Sequence, residues 1–300
     1  MPVPSGTYQT YQSIGNREDL IDVITNISPI DTWFTSNTGS VRAKARVHEF
    51  QTDVLAAAAA NAVIEGDDAT TTAIVPTVRL QNSTQILRKV YRVSDTQEVI
   101  DKAGRGSEIA YQTVKNMKVL AKDIEFALII NAAEVVGTAS VARELKGVLG
   151  FITTNSLTSG SPRILTETLL NDNLSDIWAQ GGVPATVLCG QFQKRTISAF
   201  TTNTRNVSAD EKKLTAAVDI YQSDFGTIHV RLHHQMNTSQ AGSLIVLGDM
   251  DNWKKAWLRP IKREELARTG SSRQFMIEAE LTLEGRAENG HGEILNLTTA

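Results

Sequence analysis

The apolar positions of this chain follow two periods and change from one to the other along its length. In "GSVRAKARVHEF" (39–50), Val41, Ala43, Ala45 and Val47 fall on one face of a strand, and Arg42, Lys44, Arg46 and His48 on the other. The next stretch, "QTDVLAAAAANAVIEGDDATTT", has almost nothing to build a core from. Strand character returns only after Pro76, in "PTVRLQNSTQILRKVYRV". These two arms predict a ribbon over 37–93, with an excursion of about 25 residues where a hairpin turn takes about 2–5. A lone hairpin is marginal in water. Neither face of this one carries the bulk to bury itself, so the question is what holds such a ribbon in place.

A period near 3.6 takes over in "GRGSEIAYQTVKNMKVLAKDIEFALIINAAEVV". Ile109, Met117, Leu120, Ile124, Ala127, Leu128 and Val135 recur at three- and four-residue spacing. With Ser107 as cap and Gly137 as stop, this predicts one helix of about 30 residues, about 45 Å long. Upstream, residues 1–15 read as an extended arm. "NREDLIDVITNI" reads as a short helix capped by Asn16 and ended by Pro29, with "TWF" (32–34) as an anchor.

Downstream the pattern turns α/β. "TETLLNDNLSDIWAQ" and "QFQKRTISAF" predict helices. "ATVLCG", "GTIHVRLHHQM" and "SLIVLGDM" predict strands, the last two joined by a turn at "NTSQAG". "MDNWKKAWLRP" reads as a short helix or turn. Phe275, Ile277, Ala279, Leu281 and Leu283 alternate as a long half-buried strand, which "ENGHG" turns back into "EILNL".

Composition narrows the function. The 300 residues are 41% hydrophobic and 21% charged, enough for a sizeable core. A net charge of −3 argues against a protein whose main task is gripping nucleic acid. One cysteine, Cys189, excludes an internal disulfide framework and a multi-cysteine metal site. The start, "MPVPSGTYQTYQSIG", lacks the pattern of a signal peptide. The longest apolar stretch, "VLAKDIEFALIINAAEVV", is interrupted by Lys122, Asp123, Glu125 and Glu134. A soluble chain with no membrane partner is expected.

Motifs that carry chemistry are scarce. There is no G-x-S-x-G elbow, no P-loop and no dinucleotide fingerprint after a strand, so no cofactor is expected. His229 and His233 would share a strand face, but Arg231 between them opposes a metal ion. Cys189, in an apolar strand, reads as a small buried hydrophobe. Trp253 and Trp257 would share a helical face and read as packing residues. The pair Asp67 and Asp68, after Gly66, has the chemistry to bind a cation, but such a pair more often marks an exposed turn or the acidic half of an ion pair with another chain. The row Arg42, Lys44, Arg46 has no aromatic interleaving beyond Phe50, which disfavours direct nucleic-acid recognition. An enzyme with a lid at 51–75 would need a paired nucleophile and base, and none is evident.

The order of elements carries more than any motif. An arm, a long two-stranded excursion, a very long helix, an α/β region and a long returning strand together resemble the major capsid proteins of tailed bacteriophages of the Hong Kong 97 type. The closing stretch "GDMDNWKKAWLRPIKREELARTGSSRQFMIEAELTLEGRAENGHGEI" is the most specific, through Glu280, Leu281, Thr282, Leu283, Glu284, Asn289, His291 and Gly292. The short start before "NREDLIDVITNISPIDTWF" resembles the same branch.

This resemblance implies an α+β fold of that type in four parts. They are an N-terminal arm (1–36), an extended β-hairpin loop (37–93), a peripheral domain with spine helix and long strand (94–145 and 262–292), and an α/β axial domain (146–261 and 293–300). It implies a non-enzymatic subunit, without cofactor, that forms hexamers and pentamers of an icosahedral or elongated head around double-stranded DNA. Such a subunit resides in the virion and assembles in the host cytoplasm. Its other partners would be portal and scaffolding or decoration proteins, with DNA contacted non-specifically on the inner face. Some relatives carry an N-terminal scaffolding segment. The few residues after Met1 suggest a separate scaffolding protein or none. Lys44 lies on the loop, but no local motif supports the covalent cross-link made by some relatives. An encapsulin-like nanocompartment around a protein cargo is the alternative on the same fold. The residues expected at subunit contacts are Trp33, Phe34, Arg42, Lys44, Arg46, Glu65, Asp67, Asp68, Arg88 and Arg92, the loop cations facing the acids of an adjacent copy.

Overall fold

The computed structural model describes residues 32–68, 71, 73–102, 104–200, 219–238 and 242–299. The expected arm and the helix capped by Asn16 lie outside them. The first half runs α1 (Trp33–Asn37), β1 (Gly39–Arg42), β2 (Val47–Thr52), β3 (Val78–Ser83), β4 (Gln85–Ser94), α2 (Asp95–Val99) and α3 (Glu108–Ile130). Next come α4 (Val148–Phe151), β5 (Ser156–Leu157), α5 (Glu167–Ala179), β6 (Thr186–Cys189) and α6 (Gln191–Ser198). The remainder is β7 (Ile220–Ser223), β8 (Gly226–Leu232), α7 (His234–Thr238), β9 (Leu244–Leu247), β10 (Trp253–Leu266), β11 (Ser272–Gly285) and β12 (Gly292–Ile294).

Two sheets organise the molecule. A four-stranded sheet has the order β1-β10-β11-β4, and a six-stranded sheet the order β5-β12-β9-β6-β8-β7. The alternation in β11 predicts its burial: Phe275, Ile277, Ala279, Leu281 and Leu283 are all buried and face α3 and its neighbours. Leu87 and Tyr91 of β4 pack against the same core, and Lys89 pairs with Asp123 of α3 at 2.5 Å. In the six-stranded sheet, every residue of β6 and β9 is buried. Their two faces join different cores, Leu188, Ile245 and Leu247 on one side and Val187, Cys189, Leu244 and Val246 on the other. Strands covered on both faces read as unbroken apolar runs, which is how they stand in the sequence.

Four expectations are corrected. "GSVRAKARVHEF" is two strands, not one. β1 pairs in parallel with β10, the chain bends between Ala43 and Arg46, and only β2 pairs with β3. The long helix has 23 residues, about 35 Å, and stops at Ile130. Asn131 there donates its amide to the Gln85 side chain and the Leu145 carbonyl. Val135 then pairs with Glu144 across a hairpin in which Gly137 takes φ +74, so this glycine serves a turn and not a helix end. "MDNWKKAWLRP" is mostly strand, the start of β10. Pro260 is tolerated because it falls within the register shift between Arg259 and Lys262, where the regular ladder is interrupted. Finally, β8 and β9 are not neighbours, since β6 lies between them, parallel to β8 and antiparallel to β9.

Candidate assembly surfaces

The ribbon is held at its base and bare at its tip. Phe50 of β2 is buried against Phe151, with ring centroids 6.3 Å apart. Asn82 of β3 is fully buried. It donates to the carbonyls of Lys146 (2.9 Å) and Leu283 (2.8 Å) and accepts from the Lys146 amide (2.8 Å). The Thr84 amide closes the base on the Arg46 carbonyl. His48 lies 3.3 Å from Glu284 of β11. These groups fix the direction in which the ribbon leaves the subunit. No pattern in the sequence marked Asn82, because its partners, Lys146 and Leu283, are remote in the chain.

Beyond Thr52 the support ends. Val54, Leu55, Val63, Ile64, Ile74 and Val75 are between 77% and 94% exposed. The described residues of one subunit leave these six aliphatic side chains in water, each worth ~1.5–3 kcal/mol when buried. The tip is nonetheless shaped. Asp67 N donates to Ile64 O at 3.1 Å, and Gly66 takes φ +88, the conformation that a type II turn requires at its third residue. Glu65, Asp67 and Asp68 project from this turn without a cationic partner among the described residues.

The cations Arg42, Lys44 and Arg46 lie exposed at the root of the ribbon and, among the described residues, meet no acid. Arg88 and Arg92 stand on the outer face of β4, in line with Ile86 and Val90, each 45% exposed. Arg92 donates to Gln274 at 2.5 Å. Beside them the buried Glu280 accepts from Arg143 (2.7 Å), Arg259 (2.8 Å) and Thr84 (2.8 Å). The Glu280 bond raises the Arg259 pKa further.

Trp33 and Phe34 part company. Trp33 is half-buried, with the Arg231 guanidinium 5.3 Å from its ring centroid. Phe34 is fully buried in its own subunit, edge-on to Trp253 at 6.1 Å, so it is a core residue and not a contact surface. The helix it begins is held by Glu125 of α3. That buried carboxylate accepts from the amides of Phe34 and Thr35, both at 2.7 Å, and from the Thr35 hydroxyl, and lies 2.9 Å from His233 Nε2. Lys255 donates to Thr35 O, and burial lowers its pKa.

The remaining polar side chains are structural in their setting. His229 is exposed while His233 is buried on Glu125, so the two do not share a face. Among the described residues no three His, Cys, Asp or Glu side chains could hold a metal ion together. Cys189 is buried, and desolvation pushes its thiol up to about 12. Trp253 lies within 4.9 Å of the His291 ring, whose Nδ1 accepts from Gly248 N at 3.0 Å. Burial holds His291 down at about 4 and pushes Glu293 up to about 7. No helix among the described residues is long and apolar enough to cross a membrane.

A pinned ribbon with a bare apolar tip, a long helix under a four-stranded sheet and a mixed six-stranded sheet make up one α+β fold. Solved structures agree on the fold. The capsid of cyanophage A-1(L) matches with a TM-score of 0.71 and 11% identity, over 97% of this chain and 99% of that one. A chain from Gordonia phage Cozz matches at 0.65 and 13% identity, over 100% and 98%. The SrpI encapsulin of Synechococcus elongatus matches at 0.60 and 10% identity, over 95% and 93%. These are Hong Kong 97-type folds. Residues 3–298 match the SU10 major capsid protein family, and the chain belongs to that family of phage major capsid proteins. The major capsid protein of Escherichia phage Phieco32 is 39% identical over 127 residues, which is 42% of this chain. That match spans about a third (36%) of the relative's length.

Proposed function

We propose that this chain assembles with copies of itself, as hexamers and pentamers, into the closed head of a tailed phage around double-stranded DNA. The observation that carries this reading is the ribbon tip, where Val54, Leu55, Val63, Ile64, Ile74 and Val75 have no cover among the described residues. A lattice neighbour supplies that cover through a heterologous contact, one patch meeting a different patch. The division into arm, extended loop, peripheral domain and axial domain follows the same reading. Trp33, Arg42, Lys44, Arg46, Glu65, Asp67, Asp68, Arg88 and Arg92 contact neighbouring copies.

The subunit works without catalysis, resides in the virion and assembles in the host cytoplasm. Portal and scaffolding or decoration proteins complete the head, and DNA meets its inner face non-specifically. Negative-stain microscopy of the expressed chain, alone and with a scaffolding partner, should show shells or capsomers. A stable monomer under all assembly conditions, crowding included, would overturn the reading. The encapsulin fold match supports a second reading, a nanocompartment. Particles that copurify with a protein cargo in place of DNA would favour it.

A further inference from the structure

The four-stranded sheet has an unusual corner. β1 pairs with β10 only as far as Arg42 opposite Trp257, while β10 runs on to Leu266. Past that point β10 has no neighbour on this side among the described residues. Pro260 and the register shifts of β10 remove the regular donors that strand addition needs there. The corner instead opens a groove of about 560 Å³ lined by Val41, Arg42, Trp257, Leu258, Pro260 and Ile261. Its wall is almost entirely apolar, and Ile261 is 46% exposed. Arg42 stands in the lining, and Lys44 and Arg46 follow in the bend just after it.

We propose that this groove receives the ribbon tip of a second copy, with Ile64 and Val63 entering it while Glu65, Asp67 and Asp68 face Arg42, Lys44 and Arg46. This rests on the shell reading and names the receptor surface within it. The two surfaces match in both respects. The tip presents two aliphatics, 77% and 83% exposed, beside three acids. The groove is an apolar hollow with Arg42 in its lining, Lys44 and Arg46 follow two and four residues further along the chain, and neither set of charges has an intrachain partner among the described residues. The type II turn at Ile64–Asp67 puts the aliphatics on one limb and two of the acids on the other. One insertion therefore fills the hollow and pairs the rim. The apolar anchor supplies most of the affinity, and the charges supply register.

Cysteine pairing tests it directly. Cys189 is buried, so added thiols report alone. The double variant Ile64→Cys/Ile261→Cys, oxidised as assembled particles, should give a ladder of cross-linked chains on a non-reducing gel, and neither single variant should. Particles of the double variant with no ladder would overturn the proposal. So would a ladder from Ile64→Cys with Val90→Cys in place of Ile261→Cys, which would move the tip to the outer face of β4. The triple reversal of Arg42, Lys44 and Arg46 to Glu should cut particle yield at least tenfold with circular dichroism unchanged. Adding Lys at 65, 67 and 68 should restore it, and failure to restore would overturn the charge pairing. If the unmodified chain never forms particles, the shell reading itself falls and the groove falls with it.

Discussion

Glu125 of the spine helix lies 2.9 Å from His233, and both side chains are wholly buried. The same carboxylate holds the first amides of α1, so one residue ties together the root of the N-terminal region, the spine and the end of β8. Removing it leaves buried donors unpaired. Glu125→Ala should cost about 3–5 kcal/mol, and Glu125→Gln less, because one acceptor oxygen remains. Urea unfolding followed by circular dichroism measures both. Equal losses for Ala and Gln would mean that the charge alone matters.

Asn82 sets the exit direction of the ribbon by three hydrogen bonds to groups far away in the chain. Asn82→Ala should lower stability by about 1–3 kcal/mol. It should also lower the yield of particles more than an equally destabilising core change does. Matched thermal melts and particle yields separate the two effects.

His291 and Glu293 pull the pH dependence in opposite directions. Glu293 ionises near 4.5 when unfolded but near 7 when folded, so folding stability falls as pH rises from 4.5 to 7. His291 takes a proton near 6.5 when unfolded but near 4 when folded, so stability falls as pH drops from 6.5 to 4. The two slopes offset each other where they overlap. Glu293→Gln removes the first. It should raise stability at pH 7.5 by at most ~3 kcal/mol and expose a steady loss on acidification below about 6.5. Denaturant midpoints across pH 4–8 check the sign.

Cys189 should resist thiol reagents at pH 8 in the folded chain and react fully on unfolding, since burial both shields it and suppresses its thiolate. Reaction rates with and without denaturant give the comparison. Fast labelling of the folded chain would show that β6 opens.

Much of the fold was legible because local pattern and tertiary burial agree in it. The alternation in Phe275–Leu283 states its own burial. Ser107 caps α3 as its position before an acidic first turn predicts, accepting from Ala110 N. Where the two disagree, tertiary contacts prevail. Val135 and its neighbours continue the helical period, but pairing with Glu144 is available and the helix yields to it. Pro260 argues against a strand locally, yet an edge with a bulge accommodates it. Of the candidate contacts, the ribbon's bare tip was legible from its lack of bulk. The burial of Phe34 was not, because nothing near it in the chain announces Trp253.

The sequence alone determined the succession of elements and the presence of a ribbon too poor in core to stand by itself, since both follow from spacing and side-chain size. Only the tertiary structure decided which strands meet, that β1 leaves the ribbon to join β10, and that a groove opens where it stops. Those outcomes depend on contacts between residues distant in the chain, such as Arg42 opposite Trp257, 215 positions away. No local periodicity records such a pairing.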